Sequence, residues 1–247
     1  MKKLISILFI CLVLSHGIAF CDEPQFAIIY DSSIIHENIE KINTLNLLIT
    51  GPGINTSGVT TQLYYYICPM AVDVFSELLV PGVVQDSWYA IDLVTGEKVI
   101  HKHGWYLLDF RNQEVKNAVM NAIISVIIAK KPAGIFIDHG EFLIYENNFL
   151  SEKSRDMACI DPEILGLWSQ YLSEVMQWIK FYRKKIIINA DQGSYFYWKR
   201  NINGIYVEDY RDGNEYQHRM FLQKESVIDT ATIDRKMILI DPKNRWR

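Results

Sequence analysis

The stretch Lys131-Pro-Ala-Gly-Ile-Phe-Ile-Asp-His-Gly140 decides the fold of this chain. Pro132 ends the helical pattern before it, because proline lacks the N–H that a helix interior needs. Gly134 to Ile137 is then a continuous apolar run that ends at Asp138. A short run that is apolar at every position is typical of a parallel strand buried on both faces. The stretch therefore predicts a buried parallel strand with a carboxylate at its carboxyl end.

The same unit, an apolar run that ends in a polar or turn residue, recurs along the chain. Seven runs are good strand candidates: Phe26 to Tyr30, Leu45 to Thr50, Tyr64 to Cys68, Gly134 to Ile137, Lys185 to Ile188, Ile205 to Val207 and Met237 to Ile240. Trp105 to Leu108 is a further extended segment and a candidate for an eighth. Their length and apolar content favour strands over helices.

Helical patterns lie between several of these runs. Ile35, Ile39 and Ile42 share one face of a short helix. Asn112 is a predicted N-cap for a helix whose buried face carries Val115, Val119, Ala122 and Val126. Asp161-Pro162 predicts another helix start, with the acid as cap and proline at the first helical position.

Strands that alternate with helices indicate an α/β protein, and eight such units would form a (β/α)₈ TIM barrel. The chain ends about six residues after Asp241, where a complete barrel normally needs another helix and strand. The sequence therefore predicts a TIM barrel that is possibly incomplete at its C-terminus.

Residues 1–21 predict a secretory signal peptide. Lys2 and Lys3 precede the apolar run Leu4 to Leu14, and cleavage is expected after Ala19 or Cys21. The run is shorter than the about 20 residues that span a bilayer, so we expect no stable membrane insertion after cleavage. Residues 22–247 would then form a single barrel domain of a secreted or periplasmic protein.

The composition narrows the class of partner. The net charge is −4 and no basic stripe is present, which argues against nucleic acid. Aromatic residues make up 13% of the chain and suit stacking on the apolar faces of sugars. Gly51-Pro-Gly53 lacks the flanking pattern of a phosphate loop, and the cysteines lack zinc-finger spacing. The sequence predicts no cofactor.

Acids and amides gather at the predicted strand ends, where a β/α barrel has its active site. They are Asp31, Asp109, Asp138, Asn189, Glu208 and Asp241. Aspartate and asparagine also favour turns, which explains some of these positions without function. Glutamate does not, so Glu208 carries more weight.

Glycoside hydrolysis needs two facing carboxylates, one that protonates the leaving oxygen and one that attacks the sugar or activates water. Asp138 and Glu208 are the predicted pair, because each follows a glycine-initiated apolar strand: Gly134-Ile-Phe-Ile-Asp138 and Gly204-Ile-Tyr-Val-Glu208. Trp198 and Tyr206 are either an apolar wall for the acid or packing residues.

In these segments the sequence resembles the glycoside hydrolases grouped around family 114, which are endo-α-1,4-polygalactosaminidase-like TIM barrels. Phe26-Ala-Ile-Ile-Tyr-Asp31, Gly104-Trp-Tyr-Leu-Leu-Asp109 and Ile187-Ile-Asn189 carry the resemblance together with the two glycine-initiated strands. Each segment is short, and their order along the chain is the stronger signal.

The resemblance implies that Asp138 is the nucleophile or transition-state stabiliser and that Glu208 is the general acid/base, although these roles could be exchanged. Asn189 would bind the sugar or its 2-substituent. Substrate-binding roles are also expected for Tyr30, Asp31, Asp109 and Asp241, with a poly- or oligosaccharide as the partner. Glu141 competes as an acid because it lies close to Asp138 in the chain.

Two other functions stay open at this point. His101, His103, Asp138 and His139 include possible ligands of a metal-dependent hydrolase or deacetylase. Alternatively, a barrel that lost activity would bind carbohydrate without cleaving it.

Overall fold

The computed structural model describes residues 26–70, 84–100, 105–140, 160–189, 198, 200–207 and 237–240. Its strands are β1 (Phe26–Ile28), β2 (Leu47–Thr50), β3 (Gln62–Ile67), β4 (Gly134–Ile137), β5 (Lys185–Asn189), β6 (Gly204–Val207) and β7 (Met237–Ile240). Its α-helices are α1 (Ser32–Glu37), α2 (Ile39–Ile42), α3 (Gln113–Lys130) and α4 (Pro162–Phe181), and a 3-10 turn covers Asp86–Trp88. The predicted signal region lies outside the described residues.

The strands form one seven-stranded sheet in the order β1-β2-β3-β4-β5-β6-β7. Every neighbouring pair is parallel. Strand order therefore follows chain order without a reversal, as in a β/α barrel and unlike a doubly wound sheet. This confirms the predicted α/β class and the parallel sheet.

The sheet is strongly curled. The rings of Phe26 on β1 and Tyr206 on β6 lie 6.2 Å apart, centroid to centroid. In a flat sheet, five strand spacings would separate β1 from β6 by roughly 24 Å. Tyr206 also meets Phe136 on β4 at 5.6 Å. The described strands thus enclose an interior filled by aromatic rings, which is a barrel-like arrangement.

Alternation along the strands divides the core into an inner and an outer part. The inner part is one buried cluster that contains Leu47, Ile49, Tyr64, Phe136, Ile187 and Tyr206. Strand residues of the opposite parity pack with the helices instead, among them Ile135, Ile137, Ile186, Ile188 and Ile205. Because both faces are covered, the central strands are apolar at nearly every position.

The helices begin where cap chemistry predicts. Asn112 accepts a hydrogen bond from the Glu114 N–H at 2.9 Å, and α3 ends at Lys131 in a left-handed conformation with φ 47°. Asp161 accepts from the Glu163 N–H at 2.9 Å at the start of α4. Within the described ranges, no helix is long and apolar enough to cross a bilayer.

The seven good strand candidates are the seven strands of the sheet, and the further segment Trp105 to Leu108 is not an eighth. The segment is extended, but β4 occupies the place beside β3. It instead forms antiparallel bridges, Tyr106 with Ile100 and Leu108 with Tyr89. Leu107 and Leu108 are fully buried there. An apolar extended segment looks the same in sequence whichever partner it takes, so its pairing could not be predicted.

Candidate active site

Asp138 lies directly after the central strand β4, at the carboxyl end of the sheet. Its N–H donates to the Ile67 carbonyl at 2.8 Å, so the ladder with β3 fixes its backbone. The residue is only 9% exposed. Burying a carboxylate is costly unless hydrogen bonds compensate for the lost water, so its partners decide whether the site is viable.

Three groups donate to this carboxylate. Oδ1 accepts from the Asn189 amide Nδ2 at 2.7 Å and from the His139 N–H at 3.0 Å. Oδ2 accepts a short hydrogen bond from the Tyr66 hydroxyl. All three are donors, which is what an ionised carboxylate requires. Tyr66 lies on β3, Asn189 ends β5 and Asp138 follows β4. These three residues are named here the carboxylate cluster.

Tyr66 is fixed by rings on two sides. It stacks on Phe136 with centroids 5.9 Å apart, and Tyr30 meets it edge-on at 5.3 Å. Burial raises the pKa of Tyr66 well above its ordinary value, and the negative charge of Asp138 raises it further. The hydroxyl therefore keeps its proton and remains a donor to Asp138 at every physiological pH.

The turn after Asp138 is tightly held. His139 adopts a left-handed conformation with φ 53°, and its Nε2 lies 3.6 Å from Asp138 Oδ2. The Trp105 ring meets the His139 ring edge-on at 6.5 Å. Gly140 donates its N–H to the Asn189 carbonyl at 2.8 Å and accepts from the indole of Trp198 at 2.8 Å. These contacts tie the turn to β5.

The structure brings together three of the predicted site residues. Asp138 and Asn189 are hydrogen bonded, and Tyr30 reaches them through the Tyr66 ring. Tyr30 is 52% exposed, so it marks the open side of the carboxylate cluster. Glu208, Asp241 and Glu141 lie outside the described residues, as do His101 and His103.

Asp31 and Asp109 have partners elsewhere. Asp31 caps α1, where it accepts from the Ser33 hydroxyl at 2.7 Å and the Ser33 N–H at 2.8 Å; these bonds lower the pKa of its carboxyl. Asp109 pairs with Arg111 at 2.8 Å. The segment before it, Trp105 to Leu108, is outside the sheet, so Asp109 does not lie at the end of a sheet strand. Substrate-binding roles for both residues stay predictions.

Sequence reasoning did not assign Tyr66 or Trp105 to the site. Tyr66 is 72 positions from Asp138 along the chain, so no local motif joins them. A usable signal existed, because alternation along the Tyr64 to Cys68 run places Tyr66 on the same face as Tyr64. Trp198 is fully buried and hydrogen bonded to Gly140, which is a packing role rather than an exposed wall.

The described part of the chain contains no group of three or more His, Cys, Asp or Glu residues placed to hold a metal ion. The described groups that hydrogen bond to Asp138 are donors: a tyrosine hydroxyl, an amide and a backbone N–H. The His139 imidazole lies 3.6 Å from Oδ2.

Comparisons with known proteins come from structure alone, because no protein-family model and no curated protein matches the chain. One similar solved structure is Ega3 of Aspergillus fumigatus in complex with galactosamine. It has a TM-score of 0.53 and 11% identity, over 91% of this chain and 79% of that one.

Two further structures agree on the fold. The glycoside hydrolase domain of PelA from Pseudomonas aeruginosa gives a TM-score of 0.51 and 9% identity, over 83% of this chain and 78% of that one. The α-galactosidase of Lactobacillus brevis gives 0.52 and 9%, over 83% of this chain and 32% of that one. The chain therefore shares the TIM-barrel-like fold of these solved structures.

Proposed function

We propose that the protein is a glycoside hydrolase that cleaves an extracellular polysaccharide with the carboxylate pair Asp138 and Glu208. The observation that carries the proposal is the buried Asp138 at the carboxyl end of the sheet, with donors from Tyr66, Asn189 and its own turn. Active sites of β/α barrels lie at this end. A fixed, ionised carboxylate there suits a nucleophile or a stabiliser of the oxocarbenium-like transition state.

Glu208 is the proposed general acid. It follows Val207, the last residue of β6, and stands two positions after Tyr206, whose ring belongs to the inner cluster. Side chains alternate along a strand, so continuation of β6 by one residue would give Glu208 the same side as Tyr206. Protonation of the glycosidic oxygen by this acid would allow the bond to the anomeric carbon to break.

An amino-sugar polymer is the proposed substrate. The resemblance to the family 114 group supports it, and so does the likeness in fold to Ega3, which was solved with galactosamine. Exposed Tyr30 would offer its ring to the apolar face of a sugar. We further propose a mature domain of residues 22–247 that is secreted or periplasmic.

The test is release of reducing ends from a panel of extracellular polysaccharides, including partly deacetylated galactosamine polymers. Wild type would be compared with Asp138→Asn and Glu208→Gln, each of which keeps the side-chain shape and removes the charge. Asp86→Asn is the matched control, because this carboxylate is 93% exposed and pairs only with Lys98 among the described residues.

We expect turnover by wild type and by Asp86→Asn, and a loss of at least about 100-fold in kcat for both site variants. Folding of each variant would be verified by circular dichroism. Full activity in Asp138→Asn would refute the proposed role of the pair. Polymer binding without turnover by folded wild type would identify the protein as a carbohydrate-binding barrel instead.

A further inference from the structure

The two oxygens of Asp138 have different surroundings. Oδ1 has two donors, the His139 N–H and the Asn189 amide, and both belong to the buried framework of β4 and β5. Oδ2 has one hydrogen-bond donor among the described residues, the Tyr66 hydroxyl, and the His139 Nε2 lies 3.6 Å away, just beyond hydrogen-bond distance. Each carboxylate oxygen can accept about two hydrogen bonds, so Oδ1 is filled and Oδ2 keeps acceptor capacity.

The Oδ2 side is also the open side. Asn189 is 9% exposed, whereas Tyr66 is half-buried and its ring touches Tyr30, which is 52% exposed. A sugar that reaches Asp138 from solvent past Tyr30 would meet the Tyr66 side first. Oδ2 is therefore the oxygen with both spare acceptor capacity and access.

The direction of the Tyr66 hydroxyl is set by packing. Phe136 lies parallel to its ring within 23°, and Tyr30 stands at 83° to it. Register fixes the backbone as well, because Tyr66 pairs with Phe136 across β3 and β4. A side chain held in this way can restrict rotation of the carboxylate that it binds.

From this geometry we infer that Tyr66 is a positioning residue that orients Asp138 so that Oδ2 faces the reacting sugar carbon. Tyr66 acts through Asp138 and needs no contact with the sugar. The inference rests on the proposed function and adds to it the oxygen that reacts and the residue that presents it.

Tyr66→Phe tests the inference, with Tyr64→Phe as the matched control. Tyr64 lies two residues earlier on β3, is fully buried in the same inner cluster, and has no hydrogen bond to Asp138. Each variant removes one hydroxyl from the same strand. We expect Tyr66→Phe to lose roughly 10- to 100-fold in kcat with little change in KM, because a charge-assisted hydrogen bond is lost.

Comparison of kcat with KM separates positioning from general damage. A positioning role predicts that Tyr66→Phe lowers kcat at nearly unchanged KM, while Tyr64→Phe keeps both values. If wild type is active, Asp138→Asn is inactive and Tyr66→Phe behaves like Tyr64→Phe in both kcat and KM, the inference is wrong while the proposed function stands.

A second measurement needs no substrate. In a double-mutant cycle followed by urea unfolding, Tyr66→Phe should lower the midpoint more in the wild-type background than in Asp138→Asn. Equal shifts in both backgrounds would overturn the inference even if no polymer is cleaved. Unequal shifts with an inactive wild type would support orientation of the carboxylate by Tyr66 and count against the proposed function alone.

Discussion

Gly140 shows how a single residue can hold a site together without chemistry of its own. It joins the turn after Asp138 to β5 and to Trp198 through its N–H and its carbonyl. A Cβ at this position would lie 2.0 Å from Ile188 Cγ1 and 3.2 Å from the Asn189 carbonyl oxygen. The contact requires glycine for close approach rather than for its backbone angles.

We therefore expect Gly140→Ala to reduce the free energy of unfolding by about 1–3 kcal/mol, because the buried Ile188 side chain must shift. Gly166→Ala is the control: Gly166 lies in α4 with open space around it, and alanine there should stabilise by roughly 0.5–1 kcal/mol. Urea unfolding of the two variants measures both values. A stabilising Gly140→Ala would show that the turn can open away from β5.

Sequence alone identified Asp138 and Asn189 as neighbours at one end of a sheet, because strand ends of parallel strands meet. It did not identify Tyr66, whose hydroxyl on β3 donates a hydrogen bond to Asp138 after the neighbouring strand β4. Side-chain partners that are distant in the chain are what local patterns do not contain.

At the level of elements, the helix starts were the most predictable features. Asn112 and Asp161 cap α3 and α4 through their own side chains, and each accepts a hydrogen bond from the N–H of the residue two positions later. Everything needed for the prediction is therefore local. The Trp105 to Leu108 segment is the opposite case. Its bridges to Ile100 and Tyr89 depend on the tertiary fold, which the local sequence does not contain.

The start of α4 allows its two stabilising contributions to be separated. Asp161 caps the helix and also binds Arg111 at 2.6 Å in a partly exposed pair. Asp161→Ala should reduce the free energy of unfolding by about 1–2 kcal/mol through loss of the cap. Asp161→Asn keeps a good cap and loses only the ion pair, so about 0–1 kcal/mol is expected.

Thermal and urea unfolding of both variants would measure these contributions. Equal losses in Asp161→Ala and Asp161→Asn would mean that the ion pair, rather than the cap, stabilises the helix start.

For the whole molecule, the aromatic interior predicts how stability responds to alkaline pH. Burial raises the pKa of Tyr64 from 10.0 to about 12. As pH rises from about 10 to about 12, the unfolded chain releases this proton before the folded protein does, so the free energy of unfolding falls. Below pH 10 both states keep the proton and the contribution is complete.

Tyr64→Phe removes this ionisable group, so its stability should fall less steeply above pH 10 than that of wild type. Urea unfolding between pH 8 and pH 11.5 would measure how the free energy of unfolding of each protein changes with pH. The difference in that free energy between wild type and variant below pH 9 serves as the reference. Burial also raises the pKa of Tyr171, which still ionises in the variant. Tyr64→Phe therefore removes only part of the fall in stability that wild type shows above pH 10. Parallel curves for the two proteins over the whole range would contradict the buried setting of Tyr64.

The parallel sheet could be predicted because each central strand is apolar at nearly every position. Such strands are typical of a sheet that is buried on both faces. The seven strands of the sheet are the seven good candidates, whereas the pairing of the Trp105 to Leu108 segment outside the sheet could not be predicted. Closure depends on strand tilt and register around the barrel, and these quantities have no local signature.

The sequential strand order has a consequence for biosynthesis. Among the described strands, each hydrogen-bonded pair consists of neighbours along the chain, from β1 with β2 to β6 with β7. A nascent chain leaving the ribosome can therefore add strands to the growing sheet in the order in which they are translated. At each stage the edge of the newest strand is covered by the next strand to emerge, whereas the Phe26–Tyr206 contact of the interior forms only after β6 has been made.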